Sequence, residues 1–173
     1  MELQQLQDKI RDIPDFPKKG ILFRDITPLL ADPAAFWQAI ETMANKFGDE
    51  QVDVVVGIES RGFIFGAPLA YRLDAGFVPV RKLGKLPFET VKAEYDLEYG
   101  TNCVEIHKDA IVPGQKVLIV DDLLATGGTA RATADLVRML GGEIVSIAFL
   151  CELTELNGRE KLGDCPVTTL IKY

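Results

Sequence analysis

The sequence predicts an α/β fold: a mainly parallel, twisted sheet with helices on both faces. Three observations carry this reading. Short apolar runs of strand length alternate with stretches at helical spacing. Several runs, Val52–Ile58 (VDVVVGI) and Val117–Val120 (VLIV) among them, are apolar on consecutive residues, as strands covered on both sides must be. The 173 residues contain no linker and no long repeat, so one domain spanning 1–173 is expected. In such sheets ligands bind beyond the carboxyl ends of the strands.

The elements follow in order. Leu3, Leu6, Ile10 and Ile13 fall at helical spacing and predict an amphipathic N-terminal helix, ended by Pro14 and Pro17. Ile21–Phe23 suits a short strand. Asp32-Pro33 reads as an N-cap followed by proline at the first helical position. Phe36, Ile40, Met43, Ala44 and Phe47 then mark one helix face. After the valine-rich strand comes Glu59-Ser60-Arg61-Gly62, a loop, and then a helix around Ala67–Leu73. Phe77–Val80 is another strand. From Arg81 to Gly100 (RKLGKLPFETVKAEYDLEYG) no period is sustained, and the segment is too long for an ordinary connection; such segments are functional lids or disordered. Asn102–His107 resumes as a strand, and Pro113-Gly114 turns the chain into Val117–Val120. A helix over Gly128–Leu140 stops at Gly141-Gly142. Glu143–Leu150 is a strand, Leu156–Leu162 a short helix and Val167–Ile171 the last strand.

Composition excludes several classes. The hydrophobic share is 47% and the charged share 26%, which is ordinary for a globular protein. A net charge of −7 argues against a dedicated nucleic-acid or anionic-membrane binder. The polar N-terminus lacks a signal-type apolar region, and the longest apolar run, Phe63–Tyr71, is too short to span a bilayer. The three cysteines, Cys103, Cys151 and Cys165, are odd in number and widely spaced, which fits neither a disulfide scaffold nor a zinc ribbon. A reduced, cytoplasmic protein is expected. His107, the single histidine, rules out a histidine-cluster metal site and reads as structural.

The chemistry is concentrated in VLIVDDLLATGGTA (117–130). The loop Ala125, Thr126, Gly127, Gly128, Thr129 has little side-chain bulk, so its backbone N–H groups are open to close approach. The helix N-terminus behind it adds partial positive charge, and together they suit a phosphate. The loop is neither a Walker A motif nor GxGxxG, and by itself it reads equally well as a tight strand-to-helix turn. Asp121 and Asp122 change that balance. Two adjacent carboxylates repel unless hydroxyl donors or a cation accept their charge, and a sugar's vicinal hydroxyls do so. Phosphate cradle plus paired acids points to a sugar phosphate.

This stretch resembles the phosphoribosyl-diphosphate (PRPP) motif of the type I phosphoribosyltransferases. FPKKGILFRDITPLL (16–30), ESRGFIFGAPLA (59–70), VRKLGKLP (80–87) and YDLEYG (95–100) are similar to the adenine-specific members of that family. The resemblance runs from about Ile13 to Lys161, and it implies a small N-terminal hood over residues 1–32 and a flexible catalytic lid over 82–99. It implies that Asp121 and Asp122 contact the ribose hydroxyls and that Ala125–Thr129 holds the 5′-phosphate. It implies that Ser60 and Arg61 form the first pyrophosphate loop, with a cis peptide near Glu59-Ser60. Arg81, Lys82 and Lys85 match a basic segment facing pyrophosphate, and Glu98 and Tyr99 match lid residues near the reacting atoms. Phe23 and Arg24 match the adenine pocket, where a phenyl face can stack on a purine. Each has a plainer reading: Phe23 as core, Arg24 in an ion pair with Asp25, and the basic run as a solvated face.

The resemblance further implies transfer of a phosphoribosyl group from PRPP to adenine, a homodimer, and Mg²⁺ carried mainly by PRPP or pyrophosphate with no direct protein ligand. Three alternatives stand beside it. One is another purine base. One is a non-catalytic PRPP-sensing regulator, which should bring a DNA-binding module and a basic surface. The third is a response-regulator-like domain, which wants its acids at the end of the first strand.

Overall fold

Arg11–Pro14 (β1) forms a strand where the apolar spacing predicts the end of a helix. In the computed structural model, which describes residues 3–96 and 101–173, the N-terminal helix α1 covers only Leu3–Gln7. The chain then turns, and β1 pairs antiparallel with Leu22–Asp25 (β2), placing Ile13 opposite Phe23. Pro14 biases Ile13 to extended backbone, and the ribbon satisfies its hydrogen bonds, so pairing overrides the helical spacing. A further helix, Thr27–Ala31 (α2), is missing from the sequence reading. Asp25 sets its start by accepting from the Thr27 N–H and hydroxyl, both at 2.9 Å. Asp32 caps Pro33–Ala44 (α3) as expected, accepting from the amides of Ala34 and Ala35 at 3.0 and 3.1 Å.

The chain forms two compact units, Met1–Thr42 and Met43–Tyr173. The first holds α1, β1, β2, α2 and most of α3. The second contains a seven-stranded sheet. Its strands are Val54–Ile58 (β3), Gly76–Lys82 (β4), Thr90–Asp96 (β5), Thr101–His107 (β6), Lys116–Leu124 (β7), Glu143–Glu152 (β8) and Val167–Lys172 (β9), in the order β5-β6-β4-β3-β7-β8-β9. The pairs from β4 through β3, β7 and β8 to β9 are parallel, and β6 joins β4 and β5 antiparallel.

β3 is buried at every position, as its run of valines requires. Val54, Val56 and Ile58 join Val117, Ile119, Ile147 and Phe149 in one core, with Ala130, Ala134, Leu136 and Val137 of Gly128–Met139 (α5) packed on them. The alternate residues, Val55, Leu118 and Val120, point to the opposite face and are equally buried. There Gly62–Arg72 (α4) lies against β3, β4 and β7. This helix begins five residues before the expected Ala67, directly after the Glu59–Arg61 loop.

Two differences bear on the site. The segment after Arg81 is not wholly irregular. β5 occupies 90–96 and alternates in burial, with Val91, Ala93 and Tyr95 packed on the core and Lys92, Glu94 and Asp96 outside. Only one face of β5 is covered, so its apolar signal is half that of β3. The other difference is that β7 runs on through both aspartates to Leu124. Pairing with β3 stops at Val120↔Gly57, while pairing with β8 continues through Asp121↔Phe149 to Leu124↔Glu152. The acids therefore sit on the stretch of β7 that is no longer paired with β3.

A short 3₁₀ turn, Thr154–Leu156, and the helix Gly158–Leu162 (α6) connect β8 to β9. The expected turns and stops at Gly114 and Gly141 both take left-handed backbone, at φ 89° and 84°.

Candidate functional site

The chain leaves β3 on one side to form β4 and later places β7 on its other side, so the strand order reverses at β3. A crevice opens beyond the carboxyl ends of the strands at such a point. Here it is a cavity of about 390 Å³. Ser60, Arg61, Lys82, Asp121, Asp122, Ala125 and Thr129, all named from the sequence, line it together. An adjoining pocket of about 80 Å³ shares Asp121, Ala125 and Thr129 with the cavity and is closed by Thr126, Gly127 and Gly128.

The small pocket owes its shape to backbone. Gly127 has φ 82°, a left-handed conformation suited to glycine, and precedes α5 with no side chain capping the helix. The first-turn amides of α5 have no acceptor within the helix and face outward. A Cβ on Gly127 would lie 2.3 Å from the carbonyl oxygen of Gly158. The loop thus rests directly on the start of α6.

The acids are held differently. Asp122 is buried, and Arg61 Nε donates to its Oδ2 at 2.5 Å. Asp121 Oδ1 accepts from the Asp122 amide at 2.8 Å. Burial, and then the adjacent Asp122 carboxylate, push the Asp121 pKa well above the usual carboxylate range. α4 closes on this pair from the other side: a Cβ on Gly62 would meet the Val120 carbonyl at 2.7 Å and Asp121 Oδ1 at 3.1 Å.

The basic segment divides. Lys82 lines the cavity. Arg81 and Lys85 turn instead to Glu59 at the cavity wall: Lys85 Nζ lies 2.8 Å from Oε1, and Arg81 Nε lies 3.2 Å from Oε2. The Lys82 amide also donates to Oε2, at 3.0 Å. Burial would raise the Glu59 pKa, but Lys85, the Lys82 N–H and Arg81 outweigh it and lower it to about 2. The peptide bond between Glu59 and Ser60 is cis, as the resemblance implies.

Sequence reasoning did not single out Glu59, although it sits in the quoted ESRG at a strand's carboxyl end, where the site was expected. Glu105 was missed as well. It is buried on β6, and its Oε1 accepts from the amides of Gly84, Lys85 and Leu86 at 3.0, 3.1 and 3.2 Å, holding the turn that carries the lysines. No local pattern marks it, because its donors lie some twenty residues away. Tyr95 and Asn102, opposite one another on β5 and β6, also reach the cavity.

Phe23 and Arg24 belong to the first unit. Phe23 packs edge-on to Phe16 with ring centroids 5.1 Å apart, and Arg24 pairs with Asp12 across the β1–β2 ribbon rather than with Asp25. Glu98 and Tyr99 lie outside the described residues. His107 accepts from the Phe88 amide at 3.4 Å, a structural contact.

Comparisons with known proteins agree with this geometry. The family model described as "Phosphoribosyl transferase domain" matches residues 25–170. The adenine phosphoribosyltransferase of Clostridium perfringens is 61% identical over 168 residues, covering 97% of this chain and 98% of that protein. The crystal structure of the adenine phosphoribosyltransferase from Thermoanaerobacter pseudethanolicus superposes with a TM-score of 0.96 at 58% identity, covering 99% of each chain. That of the Saccharomyces cerevisiae enzyme, complexed with adenine and an imino-altritol bisphosphate, does so with a TM-score of 0.92 at 45% identity over 97% of each chain. With a carboxylate pair and a phosphate-sized loop at the switch point of this sheet, and relatives matched over nearly their whole length, the chain belongs to the adenine phosphoribosyltransferase family.

Proposed function

We propose that this chain transfers the 5-phosphoribosyl group of PRPP to adenine, giving AMP and pyrophosphate, as a step of purine salvage. The observation that carries this reading is the sharing of Asp121, Ala125 and Thr129 between the main cavity and the small loop pocket. One molecule with a phosphate at one end and hydroxyls a few ångströms away spans both. The relatives named above supply the base.

N9 of adenine attacks C1′ of the ribose, and the bond from C1′ to the diphosphate oxygen breaks with inversion. The leaving group takes the electron pair, and the sugar passes through an oxocarbenium-like state, as in glycoside chemistry. Asp121 and Asp122 hold the ribose hydroxyls and favour positive charge on the ring. Backbone N–H groups of Ala125–Thr129 and the threonine hydroxyls hold the 5′-phosphate. Ser60, Arg61 and Lys82 take the charge gathering on pyrophosphate, with Arg81 and Lys85 adding to the field from their places on Glu59. Phe23 stacks on adenine while backbone beside Arg24 reads its edge. Glu98 and Tyr99 act near the reacting atoms, Glu98 assisting proton movement at the base. The 82–99 segment excludes water from the activated sugar.

Mg²⁺ suits this donor set. Among the described residues no three acidic, cysteine or histidine side chains converge as a cage, and Mg²⁺ commonly stays hydrated or bound to substrate phosphates. When bound to the diphosphate it offsets the charge of the leaving group.

A homodimer is also proposed, consistent with apolar exposure on one α4 face and the neighbouring strand, where Ile64, Tyr71 and Phe77 are 38%, 87% and 36% exposed. Sedimentation tests it: a monomer at micromolar concentration would overturn it. No helix among the described residues is long and apolar enough to cross a membrane. A cytoplasmic setting accords with three widely spaced cysteines that form no disulfide among the described residues.

The deciding assay supplies PRPP and Mg²⁺ with adenine, guanine, hypoxanthine, xanthine or uracil in parallel. AMP formation far exceeding every other product is expected. Preference for another base would overturn the adenine assignment, and PRPP binding without any product would favour a sensor.

A further inference from the structure

Behind the phosphate loop stands an ion pair, with its acid buried and its guanidinium half-exposed, that the proposed chemistry does not use. Glu152 ends β8 and is 5% exposed. Arg159, in the first turn of α6, grips it at both oxygens: Nε to Oε1 at 2.6 Å and one terminal nitrogen to Oε2 at 2.7 Å. Thr169 of β9 donates to Oε2 at 3.0 Å, and Arg159 also reaches the Val167 carbonyl at 3.3 Å. A bidentate guanidinium–carboxylate pair fixes the orientation of both partners more firmly than a point contact does.

What this pair orients is the turn immediately before it. Asn157 is left-handed, at φ 51°, and Gly158 follows, buried. Gly158 and the phosphate loop interlock. A Cβ on Gly127 would lie 2.3 Å from the Gly158 carbonyl oxygen, and a Cβ on Gly158 would lie 2.3 Å from that of Ala125. Each backbone occupies the space the other's side chain would need. Leu162 buries the far end of α6 in the core, and β8 and β7 are in register at Leu124↔Glu152. The loop therefore has a fixed floor, and the floor is fastened by Arg159 and Glu152.

We propose that the Glu152–Arg159 pair is the positioning element of the phosphate loop: it holds the Asn157–Gly158 turn under Ala125 and Gly127 and so sets affinity for the donor's 5′-phosphate. This rests on the reading of Ala125–Thr129 as the 5′-phosphate site. Neither residue touches the reacting atoms. Loosening the pair weakens ground-state and transition-state binding alike, which raises KM for PRPP and leaves kcat nearly unchanged.

Arg159→Lys keeps the charge and loses the fork; Glu152→Gln keeps the shape and loses the charge. For each folded variant, the dissociation constants of ribose 5-phosphate and of pyrophosphate are measured by calorimetry, beside kcat and KM for PRPP. In Arg159→Lys, ribose 5-phosphate affinity and KM for PRPP are expected to worsen about tenfold, with pyrophosphate affinity and kcat within about twofold. Equal weakening of both ligands, or none of ribose 5-phosphate, overturns the proposal.

Hydrogen exchange on the unmodified protein gives a second measurement that needs no variant. Ribose 5-phosphate should slow exchange at Asn157–Lys161 as well as at Ala125–Thr129, and protection confined to the loop overturns the proposal. The two readings are separable. If ribose 5-phosphate binds and responds as expected but adenine and PRPP yield no AMP, the positioning role stands and the transferase reading falls. If ribose 5-phosphate protects neither segment, the phosphate-site reading falls and takes the positioning role with it.

Discussion

Arg61 Nε lies 2.5 Å from Asp122 Oδ2 and ties the loop after β3 to the acid stretch of β7. Sixty-one positions apart in sequence, these residues meet because β3 and β7 are parallel neighbours and β3 stops first. A cation assigned to the leaving group is thereby held against an acid assigned to the ribose. On the proposed roles, sugar and diphosphate would be gripped through one connected unit.

Replacing either acid should break that unit. Asp121→Asn and Asp122→Asn are each expected to lower kcat for AMP formation by about 10²-fold or more, since each removes a carboxyl oxygen that holds the ribose, and the pair shares the negative charge that favours the oxocarbenium-like ring. Steady-state kinetics with saturating adenine checks this. Near-unchanged turnover and PRPP affinity would remove the acids from the mechanism.

Gly127 should not tolerate a side chain. Gly127→Ala combines left-handed backbone with a Cβ placed 2.3 Å from the Gly158 carbonyl. A loss of at least about 2 kcal/mol in urea unfolding is expected from the backbone alone, together with weakened ribose 5-phosphate binding. A fully stable variant would mean that the loop and α6 separate at little cost.

Glu59 predicts a pH effect whose sign is set by its lowered pKa. Its folded-state value of about 2 lies below the ordinary glutamate value of 4.5. The contribution is therefore present above about 4.5 and is lost as pH falls through the folded value. Glu59→Gln, which keeps one acceptor oxygen but removes the charge that Arg81 and Lys85 pair with, should lower the melting temperature at pH 7. The gap between variant and parent should narrow as pH falls from 4.5 towards 2. Melting curves across that range would show a constant gap if the pairs contribute nothing.

Glu105 predicts a cost in the turn that carries Lys85. Glu105→Ala strips an acceptor from three amides and the Thr90 hydroxyl. About 1–3 kcal/mol of destabilisation is expected in urea unfolding, with a larger rise in pyrophosphate dissociation constant than in that of ribose 5-phosphate. Glu105→Gln, which keeps one acceptor oxygen, should recover part of both.

Much of this was legible in the chain. The valines of β3 and the VLIV run of β7 carry no polar side chain between them apart from Asp53, and such runs have no stable place except between two layers. Asp121-Asp122 followed by Ala125–Thr129 marks its own chemistry, since acids and a bare loop a few residues apart stay neighbours in any fold. β5 was harder to see. TVKAEYD does alternate, but one covered face gives a weak signal, and the charged residues around it mask the period. The N-terminal error has the opposite cause: Ile10 and Ile13 fit a helical stripe, and only Leu22–Asp25, arriving later, made the strand the better state.

The sequence by itself determined the layered α/β architecture, the bare strand-to-helix loop and the paired acids, because each depends on residues close together in the chain. Tertiary structure decided which charges meet. It gave Arg61 to Asp122 and Arg81 and Lys85 to Glu59, left Lys82 facing the cavity, and set Gly158 beneath Gly127. Those pairings follow from strand order and from where β3 ends, and no local pattern encodes either, because hydrogen bonds and ion pairs act over a few ångströms between segments dozens of residues apart.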